Sequence, residues 1–109
     1  MVARKDRRGI GPAHVRNTSA LLTFCRIHGH SHVWIQQLED CLDALKAKDV
    51  ERADQCYATL RRAGMGSFLD WFPPPVFDYE DGDYVEAVWN ALYGQWAESM
   101  ERIKYRPDA

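Results

Sequence analysis

Three consecutive prolines, Pro73, Pro74 and Pro75, constrain the fold of this chain more than any other feature. A proline has no amide hydrogen to donate and its ring clashes with the preceding helical turn, so a helix cannot run through the triplet. The segment is therefore expected to be extended, in the polyproline form. On either side of it, apolar residues recur with the period of an amphipathic helix. The prolines thus divide the chain into a helical region, an extended connection and a last helix.

Three helices are predicted before the prolines. The first is capped by one of residues 17–19 and ends at Gly29, because Asn, Thr and Ser favour helix starts and Gly favours helix ends. Ser31 opens the second helix, and Asp49 opens the third, which ends at Gly64. The junction between the second and third helices is so short that they are expected to form an antiparallel hairpin.

The last helix is predicted to begin with a capping box formed by Asp83 and Glu86. The connection before it has no helical period, and no alternation typical of a strand persists in the sequence. A chain of 109 residues is one domain. The fold is therefore predicted to be an all-α, single-domain bundle of about four helices, with a long irregular loop before the last helix. So long a loop in a small protein is usually functional.

Residues 1–16 are predicted to form a flexible basic arm, and residues 17–106 the helical domain. The arm lacks a helical period and contains five cationic side chains, Arg4, Lys5, Arg7, Arg8 and Arg16. A nucleic-acid partner is not expected, because nucleic-acid binders are usually basic as whole domains, whereas the pI here is about 6.0.

The three cysteines, Cys25, Cys41 and Cys56, fit neither a disulfide framework nor a paired zinc motif. Cys41 and Cys56 fall on apolar faces of predicted helices, so we expect reduced, buried thiols, which indicate a cytoplasmic protein. No apolar run is long enough to span a membrane, and no secretory signal is expected.

Charge is separated along the chain. Residues 63–101 contain no Lys, Arg or His but hold eight acidic residues, and five of these lie within nine positions, interleaved with aromatic residues. Such a stretch attracts a cationic partner and offers rings to anchor it. The alternative is a solvated acidic turn that caps a helix. The predicted partner-binding residues are Asp78, Tyr79, Glu80, Asp81, Asp83, Tyr84 and Glu86.

A second cluster contains the residue types of metal or thiol chemistry: Cys25, His28, His30 and His32. A native metal site needs three or four converging ligands, and a catalytic thiol needs an oriented base. The sequence offers no second ligand pair and no group to orient the base, so we predict no catalytic residue, no metal and no cofactor. An enzyme that uses this cluster is one alternative, and a structural subunit that forms a homodimer is another.

A glycine-containing box follows the predicted helical hairpin. The residues concerned are Trp34, Leu38, Leu42, Leu45, Asp49, Leu60, Gly64, Met65, Gly66, Ser67, Phe68 and Asp70. They resemble a family of small bacterial helical proteins in which a hairpin precedes a Gly-Gly-Met-Gly-Ser-Phe-Asn-Asp box. The chain departs from that box at Ala63 and Leu69, where the family has Gly and Asn. The box also has a structural explanation, since its glycines permit a sharp turn and its Ser and Asp can cap nearby amides.

Some similar small proteins accompany toxin genes and look like immunity proteins. The resemblance therefore implies a bacterial immunity protein, which would neutralise a cognate toxin by occluding it. Together with the acidic stretch, it predicts a protein partner with a basic surface and no membrane partner. The docking surface would be the loop before the last helix and the exposed face of that helix.

Overall fold

The computed structural model describes residues 9–62 and 64–104. Within these ranges the chain forms four helices and no strand: α1 is Pro12–His28, α2 is His32–Lys46, α3 is Val50–Leu60 and α4 is Gly82–Lys104. This confirms the predicted all-α bundle. A long stretch without regular helix precedes α4, as predicted, and includes the three prolines.

The four helices pack in a ring around one core. Helix α1 contacts α2 and α4, and α3 contacts the same two neighbours from the other side. Apolar side chains from all four helices, and one from the loop before α4, are fully buried between them; the largest are Trp96, Phe68, Leu21, Leu38, Leu45 and Leu60. Among the described residues, no helix combines the length and apolar character that crossing a membrane requires.

Helix α1 begins at Pro12, five residues before the predicted cap. Proline is favoured in the first helical turn because its missing amide hydrogen is not needed there. The Gly11 amide donates instead to the His14 ring, 3.0 Å away, and the other ring nitrogen of His14 donates to the Ser99 carbonyl at 2.9 Å. Residues 12–16, Arg16 included, therefore belong to the helical domain, which corrects the predicted boundary at residue 17. The arm residues Arg4, Lys5, Arg7 and Arg8 lie outside the described residues, as do positions 105 and 106.

The N-caps of the remaining helices follow the sequence signals with one exception, whereas α3 ends at Leu60 with Arg61 as its C-cap, before the predicted end at Gly64. Ser31 and Asp49 are the N-cap residues of α2 and α3, as predicted, and the Asp49 carboxylate accepts a hydrogen bond from the Arg52 amide at 3.1 Å. Helix α4 is capped by Asp81, whose carboxylate accepts from the Tyr84 amide at 2.8 Å. The predicted capping box at residue 83 is therefore wrong, because an equally good capping residue lies two positions earlier.

The box between α3 and the prolines is a structural corner. Gly64 and Gly66 have φ values of 131° and 78°, a region that side-chain-bearing residues rarely adopt. The Asp70 carboxylate accepts from the Gly66 amide at 2.8 Å, and the Trp34 indole donates to the Gly66 carbonyl at 3.1 Å. Phe68, with no exposed surface, anchors the corner in the core. These contacts account for the glycines and for Asp70 without a ligand.

Candidate functional site

An open groove of about 500 Å³ lies between α1, the loop before α4 and the first turns of α4. We call it the α1–α4 groove. Its first wall is one face of α1, from Ser19 to His28, formed by residues at helical spacing. Its second wall is formed by Phe77, Tyr79, Glu80, Tyr84 and Val88. Because α1 and α4 pack directly against each other, the groove is built on a fixed base.

Three aromatic rings of the second wall are exposed to solvent. Phe77, Tyr79 and Tyr84 keep 43%, 70% and 46% of their surface accessible. The rings of Phe77 and Tyr79 are parallel with centroids 5.6 Å apart, and Tyr84 meets Tyr79 edge to face at 5.8 Å. Both geometries are favourable for aromatic pairs. The rings therefore support one another in place while remaining available to a partner.

His28 and Glu80 join the two walls at the floor of the groove. The Nε2 atom of His28 lies 2.9 Å from a Glu80 carboxylate oxygen, and each side chain is only 4% exposed. The other carboxylate oxygen of Glu80 accepts hydrogen bonds from the backbone amides of Val76 and Phe77, at 2.7 Å and 3.1 Å. Glu80 thus ties its own loop together and fastens it to the end of α1.

The hydrogen bonds at this floor define the charge of Glu80. Burial by itself acts to raise the pKa of Glu80, but the hydrogen bonds from Val76, Phe77 and His28 outweigh it and hold that pKa below its usual value. Glu80 is therefore ionised at neutral pH. The Nδ1 atom of His28 faces the Phe24 carbonyl at 3.0 Å, so both ring nitrogens face oxygen acceptors. His28 therefore contacts Glu80 through one ring nitrogen and a backbone carbonyl of its own helix through the other.

Glu80 is a correction to the predicted docking surface. Its carboxylate was expected to stand in solvent and meet a partner, but it is buried against His28 and the loop backbone. The residues next to Glu80 in the sequence do not indicate that its carboxylate is buried. The indication of this contact lies in α1. His28 follows the buried Phe24 by four residues and Leu21 by seven, so it shares their inward face.

The other predicted carboxylates are exposed: Asp78, Asp81, Asp83 and Glu86. Among the described residues, none of the four takes part in an ion pair. No Lys or Arg side chain of residues 9–62 and 64–104 contributes to the groove lining. Among the described residues, these four carboxylates therefore carry negative charge that no ion pair neutralises. Of the seven predicted residues, Tyr79 and Tyr84 line the groove, Glu80 lies at its floor, and the four exposed carboxylates lie outside its lining, with Glu86 two residues after Tyr84 and so on the opposite face of α4.

The first wall of the groove was not predicted. Ala20, Thr23, Phe24 and Ile27 line it from α1, and Ile27 is 45% exposed. An apolar residue left exposed on an amphipathic helix departs from the usual pattern, so Ile27 is the available sequence signal once the buried face of α1 is known.

The cluster of Cys25, His28, His30 and His32 does not form one centre. The His30 ring lies between the rings of Phe68 and Trp71, at 4.9 Å and 4.2 Å, and donates to the Phe68 carbonyl. Cys25 is fully buried, and burial raises the pKa of its thiol to about 12, so it is not a ready nucleophile. His32 is exposed. Within the described ranges, no three His, Cys, Asp or Glu side chains are grouped so as to hold a metal ion.

No protein-family model, curated protein or solved structure matches this chain. The resemblance to the family of small bacterial helical proteins therefore stays a prediction from the sequence. The groove has to be interpreted from its own geometry.

Proposed function

We propose that this domain is a protein-binding module that docks a partner with a basic surface through the α1–α4 groove and the exposed carboxylates of the loop before α4 and of the start of α4. The observation that carries the proposal is the combination of three exposed, mutually packed rings with four exposed carboxylates. Exposed apolar patches edged by charge are typical of protein interaction sites.

The proposed mechanism is occlusion. The rings of Phe77, Tyr79 and Tyr84 would fill a cleft of the partner, since aromatic side chains are the commonest anchors of interfaces. The carboxylates would pair with Arg and Lys side chains around that cleft and speed association by long-range attraction. The buried pair of His28 and Glu80 would contribute by holding the ring-bearing loop in its binding geometry.

More specifically, we propose that the domain is an immunity protein that covers the basic active-site cleft of a cognate toxin. This form is favoured by the sequence resemblance, and a preformed acidic surface is compatible with it. The product of the reading frame adjacent to this one is the partner to test first. We expect the two proteins to form a complex on co-expression and the toxicity of that product to be suppressed.

The matched control for that experiment removes charge without removing the fold. In the variant D78N/D81N/D83N/E86Q, asparagine at position 81 keeps an oxygen that can cap α4. Suppression and complex formation should both be lost in this variant. If the variant still protects cells, the acidic surface is not the docking site. If the wild-type protein forms no complex with the neighbouring product, the immunity form of the proposal is wrong.

A further inference from the structure

We infer that the α1–α4 groove takes a basic amphipathic helix of the partner, with aliphatic side chains in the groove and Lys or Arg side chains at its rim. This inference rests on the proposed function, because it names the part of the partner that the acidic surface binds. It specifies a helical segment of another protein as the occupant, in preference to a small molecule or a second copy of this chain.

The depth of the groove favours apolar side chains. Its buried polar groups are those of His28 and Glu80, and these are already bonded to each other, to the Phe24 carbonyl and to the amides of Val76 and Phe77. A polar ligand group placed there would have to displace existing hydrogen bonds without a net gain. The surrounding walls are mainly aliphatic and aromatic. The buried part of the ligand is therefore apolar.

The length of the groove fits two helical turns. Its α1 wall extends from Ser19 to His28, which corresponds to about 14 Å at the helical rise of about 1.5 Å per residue. A partner helix that presents side chains at i, i+3, i+4 and i+7 covers about 10 Å. A peptide that binds by strand addition would instead need a sheet edge to pair with, and the described residues contain no strand.

The charges at the rim require cations on the polar face of that helix. Asp78, Asp81 and Asp83 are exposed and lie within two residues of Tyr79 or Tyr84 in the chain, and Lys or Arg side chains next to an apolar stripe would reach them by extending along the groove wall. A symmetric dimer through this surface would bring the two acidic loops together, which is unfavourable. Charge complementarity therefore favours a basic partner over a second copy.

Two matched peptides test the inference on the full-length protein. The first is an acetylated, amidated peptide of about 14 residues, built from leucine, lysine and alanine, with leucines at positions i, i+3, i+4 and i+7. The second has the same composition, but its leucines are spread around the helix. Titration calorimetry at low salt measures affinity and stoichiometry for the wild-type protein and three variants: Tyr79→Ala, Ile27→Ala and Phe72→Ala. Phe72 is the control, because it is 82% exposed but does not line the groove.

The expected result is a one-to-one complex with the first peptide, at least about tenfold tighter than with the second. Tyr79→Ala and Ile27→Ala should each weaken it by about tenfold, as for an interface hot spot, and Phe72→Ala should leave it unchanged. Equal affinity for the two peptides would overturn the inference, because charge alone would then explain binding. A dimer of the protein alone that dissociates in Tyr79→Ala would also overturn it, by making a second copy the occupant.

Failure of this inference is distinguishable from failure of the proposed function. If neither peptide binds, but the co-expressed partner forms a complex that the carboxylate variant abolishes, the helical occupant is wrong and the acidic docking surface stands. If the first peptide binds as expected, the occupant is supported whether or not the neighbouring product proves to be the natural partner.

Discussion

His28 and Glu80 form a buried side-chain contact, 2.9 Å between Nε2 and a carboxylate oxygen and only 4% exposed on either side, that fastens the loop before α4 to the end of α1. The two residues are 52 positions apart in the sequence. The pair closes the floor of the α1–α4 groove, and the loop that it holds carries two of the three exposed rings. Stability and binding are therefore expected to depend on the same contact.

Breaking this pair from one side should destabilise the domain more than removing a surface ion pair. In His28→Ala the Glu80 carboxylate stays buried without this hydrogen-bond partner, which is costly in a protein interior. Glu98→Gln is the control, because its pair with Arg102 is 69% exposed on both sides and should contribute less than about 1 kcal/mol. Urea unfolding measures both effects. Equal midpoints for the two variants would show that the buried pair has no structural role.

The domain should lose stability as the pH falls below about 6.5, the ordinary pKa of histidine. Burial, the largest cause, lowers the pKa of His14 and His30 in the folded state, so the unfolded chain binds protons first. In each ring Nδ1 accepts a backbone amide hydrogen, from Gly11 or Ser31, and cannot take a proton without losing that bond. The contribution of these two histidines to the free energy of unfolding is thus fully present above pH 6.5 and decreases as the pH falls toward their folded-state pKa values.

The measurement is the free energy of unfolding between about pH 5 and pH 8. The variant H14Q/H30Q should show a shallower decrease over this range than the wild-type protein. Asn90→Ala, an exposed and non-titrating control, should keep the full decrease. Identical slopes for H14Q/H30Q and the wild-type protein would contradict the role assigned to these histidines.

Phe68 should be among the most costly core positions to truncate. Its side chain is fully buried and contacts the rings of His30 and Trp89, with centroids 4.9 Å and 5.3 Å away. Phe68→Ala is expected to lower the free energy of unfolding by about 3–5 kcal/mol. Met65→Ala in the same corner is the control, because Met65 is 98% exposed and its loss should change stability by less than about 0.5 kcal/mol. A small effect of Phe68→Ala would mean that the corner is not anchored through this ring.

Local sequence signals predicted most of the fold. The apolar period identified all four helices, and Ser31, Asp49 and Gly29 marked boundaries that the structure has. The start of α1 was missed because Gly11 and the His14 ring cap it, a combination outside the usual Ser, Thr, Asp and Asn pattern.

The site was only half predictable, for a physical reason. The acidic and aromatic residues of the second wall are consecutive in the chain and could be recognised from composition alone. The first wall exists only because α1 packs against α4, and Glu80 is turned inward by a histidine from that distant helix. The spacing of α1 can mark His28 as inward-facing and Ile27 as an exposed apolar residue, but contacts between residues far apart in the chain leave no local signal, so only the structure assigns the two to the groove.

The most direct test of the acidic docking surface is the association rate constant with the product of the adjacent reading frame, measured over a range of salt. If that complex forms through the exposed carboxylates, the rate constant should fall by at least about tenfold between about 0.01 M and 1 M ionic strength. In the variant D78N/D81N/D83N/E86Q the rate should start lower and depend much less on salt. A wild-type rate that is the same at all salt concentrations, or a variant that associates as fast as the wild-type protein, would contradict docking through this surface.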